Sequence, residues 1–395
     1  MSVSNVPGCA PTRNPHVLTL TPFYPTATDD ASGCFVHEPL VWLSKLGIRQ
    51  TVFAVQPLYR GRVRSSVSEI PVEWFRYVAF PGALGLTTAG AFAFARIVGR
   101  LRELHRVQPI DLIHAHGALP CGHAAMLMSR ELNVPFVVSV HGLDVFSDVQ
   151  VSGLSGKWCR RISQCTYGAS RRVICISERV REEVLKGMGR SCRTSVVYNG
   201  VDADMFSPHA EPASEQLIVL SVGNLLPTKG HEVLIRALAS VAQEFPSLTL
   251  EIIGHGPEQA RLEALMRALQ IADRVNFLGR RSREEVAQAM RWCTLFALPS
   301  RYEGLGCVYL EAMSVGKPVI GCRGQGIAEI IQQGSNGFLV GPDNEKELAL
   351  TAAMLLRDPT RRRSLGVAAR ETVLERLTLA HQAENLARIY RECVG

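Results

Sequence analysis

Two glutamates in the second half of the sequence bracket a glycine turn. Seven residues lie between Glu303 and Glu311, and they include Gly304 and Gly306. Glycine lets a backbone approach a ligand, and the free N–H groups at the start of a following helix attract anions. The spacing therefore predicts a phosphate site with a carboxylate on either side. It suits a ligand that is anionic in the middle and hydroxyl-rich at both ends, as a nucleotide sugar is. The alternative is that the two acids are simply solvated.

The flanking residues predict the elements that position this turn. Residues 295–300 form a short apolar run typical of a buried strand, and a second such run follows at residues 318–322. Residues 307–315 have helical composition, and Gly316 stands where a helix C-cap glycine belongs. The order strand, turn, helix, strand indicates an α/β unit, in which ligands bind beyond the carboxyl ends of the strands.

The turn also resembles a known signature. Glu303 to Gly306, followed by Glu311 and the residues up to Pro318, is similar to the Glu-x7-Glu motif of the retaining glycosyltransferases of family 4. The resemblance extends from about residue 16 to about residue 390. It implies an α/β fold of the GT-B type, with two Rossmann-like, doubly wound domains facing each other across a cleft.

The resemblance assigns roles to the residues of the turn. It implies that Glu311 binds the ribose hydroxyls and that Glu303 contacts the donor sugar. Lys229 and the N–H groups at the turn would take up the charge of the departing diphosphate. The residues expected to supply these N–H groups are Leu305, Gly306 and Cys307.

The loop that carries Lys229 departs from the family pattern. The family commonly has an arginine five residues before this lysine, and Asn224 occupies that position here. We expect Asn224 to line the donor site while contributing no charge to the phosphates. Arg280, Arg281 and Arg301 are candidates to replace the missing cation.

Three further glycines match family positions. Gly33 corresponds to one glycine of a pair in the loop after the first strand, although Ser32 replaces its usual partner. Gly254 and Gly256 resemble a Gly-x-Gly-Pro turn whose backbone packs against the nucleotide base. All three are predicted to lie at the donor site.

Polar residues end two predicted strands of the first half. His116 ends a strand that starts near residue 111, and residues 141–144 follow a strand at residues 135–140. His141 with Gly142 matches the family's His-Gly, which implies a catalytic position near donor sugar and acceptor. We predict His116 and Asp144 on the acceptor side. A lone histidine at such a position is otherwise a hydrogen-bonded core residue.

Length and spacing predict the domain organisation. We expect a flexible leader over residues 1–15 and an N-terminal, acceptor-side domain over residues 16–200. A linker at residues 201–216 then leads to the donor domain, residues 217–376, and a closing helix at about residues 377–395 returns to the first domain.

Composition narrows the range of partners. Residues 1–200 carry 22 Lys and Arg against 13 Asp and Glu, whereas residues 201–395 carry 21 against 23. Such a basic first half can attract nucleic acid, an acidic polysaccharide or an anionic membrane leaflet that carries a lipid-linked acceptor, or it is an ordinary solvated surface. We predict no nucleic-acid partner. The dinucleotide fingerprint GxGxxG of dehydrogenases is absent.

The apolar segments and the cysteines of the sequence give no clear indication of a membrane span, a disulfide framework or a zinc site. The most apolar stretch, residues 78–95, is interrupted by Pro81 and several glycines, so we predict a surface or groove segment rather than a membrane span. The 11 cysteines include no Cys-x2-Cys pair, which argues against a disulfide framework or a zinc site. We therefore expect a cytoplasmic protein, with peripheral attachment to the inner face of the membrane as a further option.

The resemblance thus implies a retaining glycosyltransferase, which we expect to be independent of metal and to need no cofactor. UDP-sugars are favoured as donors, and the acceptor is a glycan or a lipid-linked glycan of envelope, capsule or exopolysaccharide assembly. Two alternatives remain. One is a nucleotide-sugar epimerase or phosphorylase-like enzyme of the same architecture, and the other is a nucleotide-sugar-binding protein without turnover.

Overall fold

The computed structural model describes residues 14–27, 29–61, 70–80, 83–146, 151, 153–189, 192–209 and 216–395. The predicted leader lies almost wholly outside these residues, as do residues 210–215 of the predicted linker. The described residues form two α/β lobes, each built on a parallel sheet with helices on both faces.

The N-terminal lobe contains a sheet of seven strands among the described residues, in the order β3-β2-β1-β4-β5-β6-β7. Its strands are β1 (His16–Thr21), β2 (Arg49–Pro57), β3 (Val72–Tyr77), β4 (Leu112–His116), β5 (Phe136–Val140), β6 (Arg172–Cys175) and β7 (Thr194–Val196). Its helices are α1 (Cys34–Lys45), α2 (Ala83–Val107), α3 (His123–Leu132), α4 (Gly153–Ala169) and α5 (Glu178–Met188). Strands β1, β4 and β5 are buried along their whole length, because helices cover both faces of a parallel sheet.

The C-terminal lobe repeats this plan with six strands in the described part of the chain, in the order β10-β9-β8-β11-β12-β13. The strands are β8 (Leu217–Val222), β9 (Leu248–Ile253), β10 (Val275–Gly279), β11 (Leu295–Ala297), β12 (Val319–Cys322) and β13 (Phe338–Val340). The helices of this half are α6 (His231–Val241), α7 (Gln259–Ala268), α8 (Arg283–Trp292), α9 (Cys307–Ser314), α10 (Glu345–Arg357), α11 (Pro359–Arg376) and α12 (Leu379–Val394).

Helix α12 belongs to the first lobe in space although it ends the chain. Its buried side chains, among them Leu386 and Tyr390, share a hydrophobic cluster with Leu40 and Leu43 of α1. This packing gives the N-terminal lobe part of its core from the last residues of the sequence.

Both sheets reverse their strand order at one point, between β1 and β4 in the first lobe and between β8 and β11 in the second. Ligands of open α/β sheets bind beyond the carboxyl ends of the strands at such a switch point. The loops after these four strands carry six of the thirteen predicted site residues: Gly33, Asn224, Lys229, Glu303, Leu305 and Gly306. Among the described residues, no helix has the length and apolarity that crossing a bilayer requires.

Candidate active site between the lobes

The predicted glycine turn joins β11 to α9. We call residues 301–306 the glycine loop. Gly306 has φ of 82°, and a Cβ atom there would lie 2.6 Å from the ring of Tyr309, so only glycine fits. Helix α9 starts at the next residue, and no side chain caps its N-terminus. The N–H groups of Cys307 and Val308 in this first turn are therefore available to an anion, whereas that of Tyr309 donates to the carbonyl of Gly306.

Glu303 lies in this loop and forms an ion pair with Lys229. The lysine comes from the loop between β8 and α6, and its Nζ contacts Oε2 of Glu303. The side chains are 21% and 15% exposed respectively, so both are mostly shielded yet still reach solvent. The structure thus brings together two predicted catalytic residues that are 74 positions apart in the chain.

Glu311 lies one helical turn into α9 and is paired as well. Its side chain is 5% exposed and contacts Nη1 of Arg283, the first residue of α8. The other branch of the same guanidinium binds the two carboxylate oxygens of Glu38, in α1 of the opposite lobe, at 2.8 and 3.1 Å. Burial, only partly offset by Arg283, raises the pKa of the Glu38 carboxyl to about 7.

Sequence reasoning missed Arg283 and Glu38. Each is a charged residue in the first or second turn of an amphipathic helix, which in sequence is typical of a solvated face. No local pattern indicates that the two helices belong to different lobes and meet. Only their positions in the fold show the contact.

The glycines of the C-terminal lobe allow two loops to pack together. A Cβ atom on Gly254 would lie 2.0 Å from the carbonyl oxygen of Gly223, and one on Gly256 would lie 2.4 Å from that of Leu225. Because the two glycines have no side chain, the loop after β9 can pack directly against the loop after β8, where Asn224 is exposed. The three predicted donor residues Gly254, Gly256 and Asn224 therefore lie at the same edge of the sheet.

The three arginines considered as substitutes for the missing cation each have another partner. Arg280 pairs with Asp29 at 2.9 Å, Arg281 with Glu285 at 3.1 Å and Arg301 with Asp343 at 2.6 Å. The contact between Arg280 and Asp29 crosses the cleft. So does a hydrogen bond of 3.3 Å from the backbone N–H of Arg283 to the carboxylate of Asp30.

Gly33 shapes the loop that makes these cross-lobe contacts. It has φ of 80° and directly precedes α1. A Cβ atom there would lie 2.4 Å from the backbone nitrogen of Tyr24, so the loop after β1 closes tightly only with glycine at this position. The loop ends beside α1, which carries Glu38.

His116 and His141 form a stacked pair at the carboxyl ends of β4 and β5. Nδ1 of His116 lies 3.0 Å from Nε2 of His141, and the rings are tilted by only 9°. Burial lowers the pKa of both imidazoles below 6.5, so both are neutral near pH 7. Asp144 accepts the backbone N–H of His141 at 2.8 Å. The three predicted residues therefore lie together.

Each of these three side chains also has a buried polar atom without a hydrogen-bond partner among the described residues: Nε2 of His116, Nδ1 of His141 and Oδ2 of Asp144. Buried polar atoms in folded proteins normally have a hydrogen-bond partner, so these three atoms are suited to bind water or a ligand that bears hydroxyl groups. Behind them, His114 bonds Tyr390 and Ser139 at 2.7 Å each and belongs to the core.

The two halves of the site touch each other. A Cβ atom on Gly304 would lie 2.5 Å from the carbonyl oxygen of His141, and one on Gly142 would lie 3.4 Å from the ring of Tyr302. The glycine loop and residues 141–142, which directly follow β5, are therefore in van der Waals contact across the cleft. In the described part of the chain, no group of three or more His, Cys, Asp or Glu side chains is placed to bind a metal ion.

Comparison with known proteins identifies the family. Residues 35–205 match the model of Glycosyltransferase Family 4, and residues 204–372 match that of Glycosyl transferases group 1. Alpha-D-kanosaminyltransferase of Streptomyces kanamyceticus is 30% identical over 330 residues, which are 79% of this chain and 85% of that protein. The chain therefore belongs to the group 1/family 4 glycosyltransferases.

Solved structures agree on the fold. Sucrose-phosphate synthase from Thermosynechococcus elongatus superposes with a TM-score of 0.79 at 22% identity, over 95% of this chain and 98% of that one. The HepE protein of Anabaena, solved in complex with UDP, has a TM-score of 0.75 at 23% identity, over 95% and 100% of the two chains. The predicted fold of two Rossmann-like domains of the GT-B type is confirmed.

Proposed function

We propose that this protein is a retaining glycosyltransferase that moves a sugar from a nucleotide diphosphate donor to a glycan or lipid-linked acceptor. The observation that carries the proposal is the ion pair of Lys229 with Glu303 beside the uncapped first turn of α9. A cation, free N–H groups and a carboxylate converge there, and these groups suit the diphosphate and the hydroxyls of a nucleotide sugar.

On the donor side, Glu311 accepts hydrogen bonds from the hydroxyls of the ribose. A carboxylate suits this role because its second oxygen remains available as an acceptor. The backbone at Gly254 and Gly256 packs against the base, and Asn224 lines the same loop. UDP is the favoured nucleotide. HepE of Anabaena, which shares the fold, has been solved with UDP and with UDP-glucose, and this supports the assignment.

In the reaction, the bond between the sugar C1 and the diphosphate oxygen breaks. Negative charge grows on that oxygen, and the N–H groups of Leu305, Gly306 and Cys307, together with Lys229, stabilise it. The acceptor hydroxyl forms its bond to C1 on the same face, and its proton passes to the departing phosphate. No protein nucleophile is assigned. The helix N-terminus and the lysine supply the positive charge, so we predict that transfer needs no metal.

On the acceptor side, the unpartnered atoms of His116, His141 and Asp144 bind hydroxyls of the incoming glycan or of the donor sugar. His141 touches Gly304 through its carbonyl group, which supports a position beside the reacting sugar. Both imidazoles are neutral because of their burial, so they donate and accept hydrogen bonds rather than supply charge.

We further propose that the acceptor is presented at an anionic membrane surface in the cytoplasm, during envelope, capsule or exopolysaccharide biosynthesis. Tyr59 and Phe80, which follow β2 and β3, are each 60% exposed, and Arg60 lies next to the tyrosine. Exposed aromatic residues with adjacent cations suit the interface of an anionic bilayer. Sedimentation with phosphatidylglycerol vesicles, but not with phosphatidylcholine vesicles, tests this part.

The whole proposal is tested by a thermal-shift screen of UDP, GDP, UDP-glucose and GDP-mannose, since a ligand of the native state raises the melting temperature. The best donor is then incubated with candidate acceptors in the presence of EDTA. We expect nucleoside diphosphate to be released only when an acceptor is present. Acceptor-independent turnover would favour the epimerase alternative, and binding without any turnover would favour the binding protein.

A further inference from the structure

The glycine loop is held by polar contacts from both lobes. Within its own lobe, the side-chain oxygen of Gln325 accepts the N–H of Glu303 at 2.8 Å, and its amide donates to the carbonyl two residues earlier at 3.0 Å. From the opposite lobe, the hydroxyl of Ser177 donates to the carbonyl of Gly304 at 2.6 Å. Ser177 is fully buried, so water does not compete for this bond.

Arg179 reaches the same loop from the first turn of α5. Its guanidinium donates to the side-chain oxygen of Gln325 that also receives the N–H of Glu303. It donates further to the carbonyl of Glu303 at 3.3 Å and lies 4.6 Å over the ring of Tyr302. The hydroxyl of Tyr302 in turn donates to Glu183 of α5 at 2.9 Å. One helix of the N-terminal lobe therefore contacts consecutive residues of the glycine loop.

Glu329 of the C-terminal lobe holds this helix in place. Its carboxylate accepts the N–H groups of Glu178 and Arg179 at 2.8 Å each, and the hydroxyl of Tyr198 at 2.9 Å. A carboxylate at a helix N-terminus is favourable, because it satisfies free N–H groups and complements the helix dipole. The first turn of α5 is thus docked onto the lobe that carries the glycine loop.

We propose that Ser177 and Arg179 are positioning residues that set the geometry of Glu303 through the backbone of the glycine loop. The role of Glu303 toward the donor sugar rests on the proposed function, whereas the contacts themselves do not. Ser177 fixes the carbonyl of Gly304, and Arg179 fixes Glu303 directly and through Gln325. Between them they determine where the carboxylate that meets Lys229 points.

This arrangement links the conformation of the loop to the docking of the lobes. The bonds from Ser177 and Arg179 exist only while α5 lies against the C-terminal lobe. When the lobes separate, the carbonyl of Gly304 and the side chain of Gln325 lose these partners together. The loop then relies on contacts within its own lobe, and Glu303 is oriented for the donor sugar only in the docked state.

The first test is amide hydrogen exchange, followed by mass spectrometry, of peptides that cover residues 301–306. Three variants are compared with the wild type: Arg179→Gln, Arg179→Lys and the matched control Arg181→Gln. Arg181 lies on the same helix, but its ion pair is with Glu178 of that helix at 2.9 Å. We expect at least threefold faster exchange of the loop in Arg179→Gln, an intermediate increase in Arg179→Lys and no change in Arg181→Gln, with α10 as internal reference.

The second test is steady-state transfer with the donor identified by the thermal screen. We expect kcat of Arg179→Gln to fall by about tenfold or more while the KM for donor changes by less than about threefold, because a misplaced group loses transition-state contacts first. Arg181→Gln is expected to keep wild-type kinetics. Ser177→Ala provides a second variant, and its thermal midpoint is recorded to identify loss of the helix cap.

The outcomes separate this inference from the proposed function. If the wild type binds no nucleotide and transfers no sugar, the proposed function fails, and hydrogen exchange still decides whether Ser177 and Arg179 hold the loop. Equal loop exchange in Arg179→Gln and Arg181→Gln, in two folded variants, would overturn the inference even if the wild type is an active transferase.

Discussion

Glu38 of the N-terminal lobe and Glu311 of the C-terminal lobe bind the same guanidinium group, that of Arg283. A single positive charge thus holds together two mostly buried carboxylates from opposite sides of the cleft. Because Glu311 is the proposed ribose ligand, this shared arginine connects the docking of the lobes with the donor site.

Replacing Arg283 with methionine should strongly destabilise the protein. The change leaves two mostly buried carboxylates without a counter-ion, which typically costs about 3–5 kcal/mol. The exposed cross-lobe pair of Arg280 with Asp29 serves as the control, because Arg280→Met should cost no more than about 1 kcal/mol. Urea unfolding of both variants measures the difference. If both variants lose a similar, small amount of unfolding free energy, the arginine between Glu38 and Glu311 contributes no more to stability than an exposed ion pair.

Gly306→Ala should disturb the site more than an equivalent change elsewhere. The new Cβ atom would lie 2.6 Å from the ring of Tyr309 and 2.9 Å from Cγ of Glu303, in addition to the positive φ of 82°. Gly324 has φ of 73° and open space around it, so Gly324→Ala carries the backbone strain without the collision. We expect nucleotide affinity to fall at least tenfold for Gly306→Ala and to stay within threefold of wild type for Gly324→Ala. Equal affinities in calorimetry would argue against the role of this turn.

Stability should decrease on acidification because of buried neutral histidines. Burial lowers the pKa of His114 to about 3, against 6.5 for an exposed histidine. Between about pH 6.5 and 3, His114 is therefore protonated in the unfolded chain but stays neutral in the folded protein. Over this range the free energy of unfolding falls with decreasing pH by about 1.4 kcal/mol per pH unit. His114→Gln should show a shallower loss between pH 6.5 and 5 in urea titrations. A parallel pH dependence of the two proteins would contradict the assignment.

Glu311 should distinguish ribose from deoxyribose. Its carboxylate is expected to accept ribose hydroxyls, and a hydrogen bond to a charged group contributes about 1.5–3 kcal/mol. The wild type should therefore bind UDP about 10- to 100-fold more tightly than 2′-deoxy-UDP, and Glu311→Gln should lose most of this preference. Competition binding with the two nucleotides measures it. A preference that persists unchanged in Glu311→Gln would place the ribose elsewhere.

Much of the architecture is predictable from local sequence patterns. Strands such as β5 and β8 appear as short apolar runs, and Gly306 with Gly316 marks the limits of α9 within two residues. These signals are local, because each depends on periodicity or on a backbone conformation that only glycine adopts readily.

Residues 78–95 show where local signals fail. Pro81 and the glycines favour a surface or groove segment over a membrane span, but they do not predict a helix. In the structure, Ala83 starts the 25-residue helix α2. A Cβ atom on Gly90 would lie 2.7 Å from Cβ of His123, so this glycine permits close packing of α2 on α3. Tertiary packing overrides propensity here.

The contacts between the two lobes cannot be predicted from the sequence either. Ser177 is recognisable in sequence as a helix N-cap, and its side chain does accept the N–H of Val180 at 3.2 Å. The same hydroxyl also donates to Gly304, a residue 127 positions later. No periodicity or spacing encodes a pairing over such a distance, and the contacts of Arg179 and Gln325 depend on lobe docking in the same way.

The most direct test of the central claim is calorimetric titration of UDP into wild-type protein, Lys229→Met and Lys346→Met. Lys346 is an exposed lysine of α10 in the same lobe and controls for the loss of one positive charge. We predict that Lys229→Met weakens UDP binding at least tenfold, whereas Lys346→Met stays within twofold of wild type. Equal UDP affinity in all three proteins would contradict the claim that Lys229 and the glycine loop bind the diphosphate of an activated sugar.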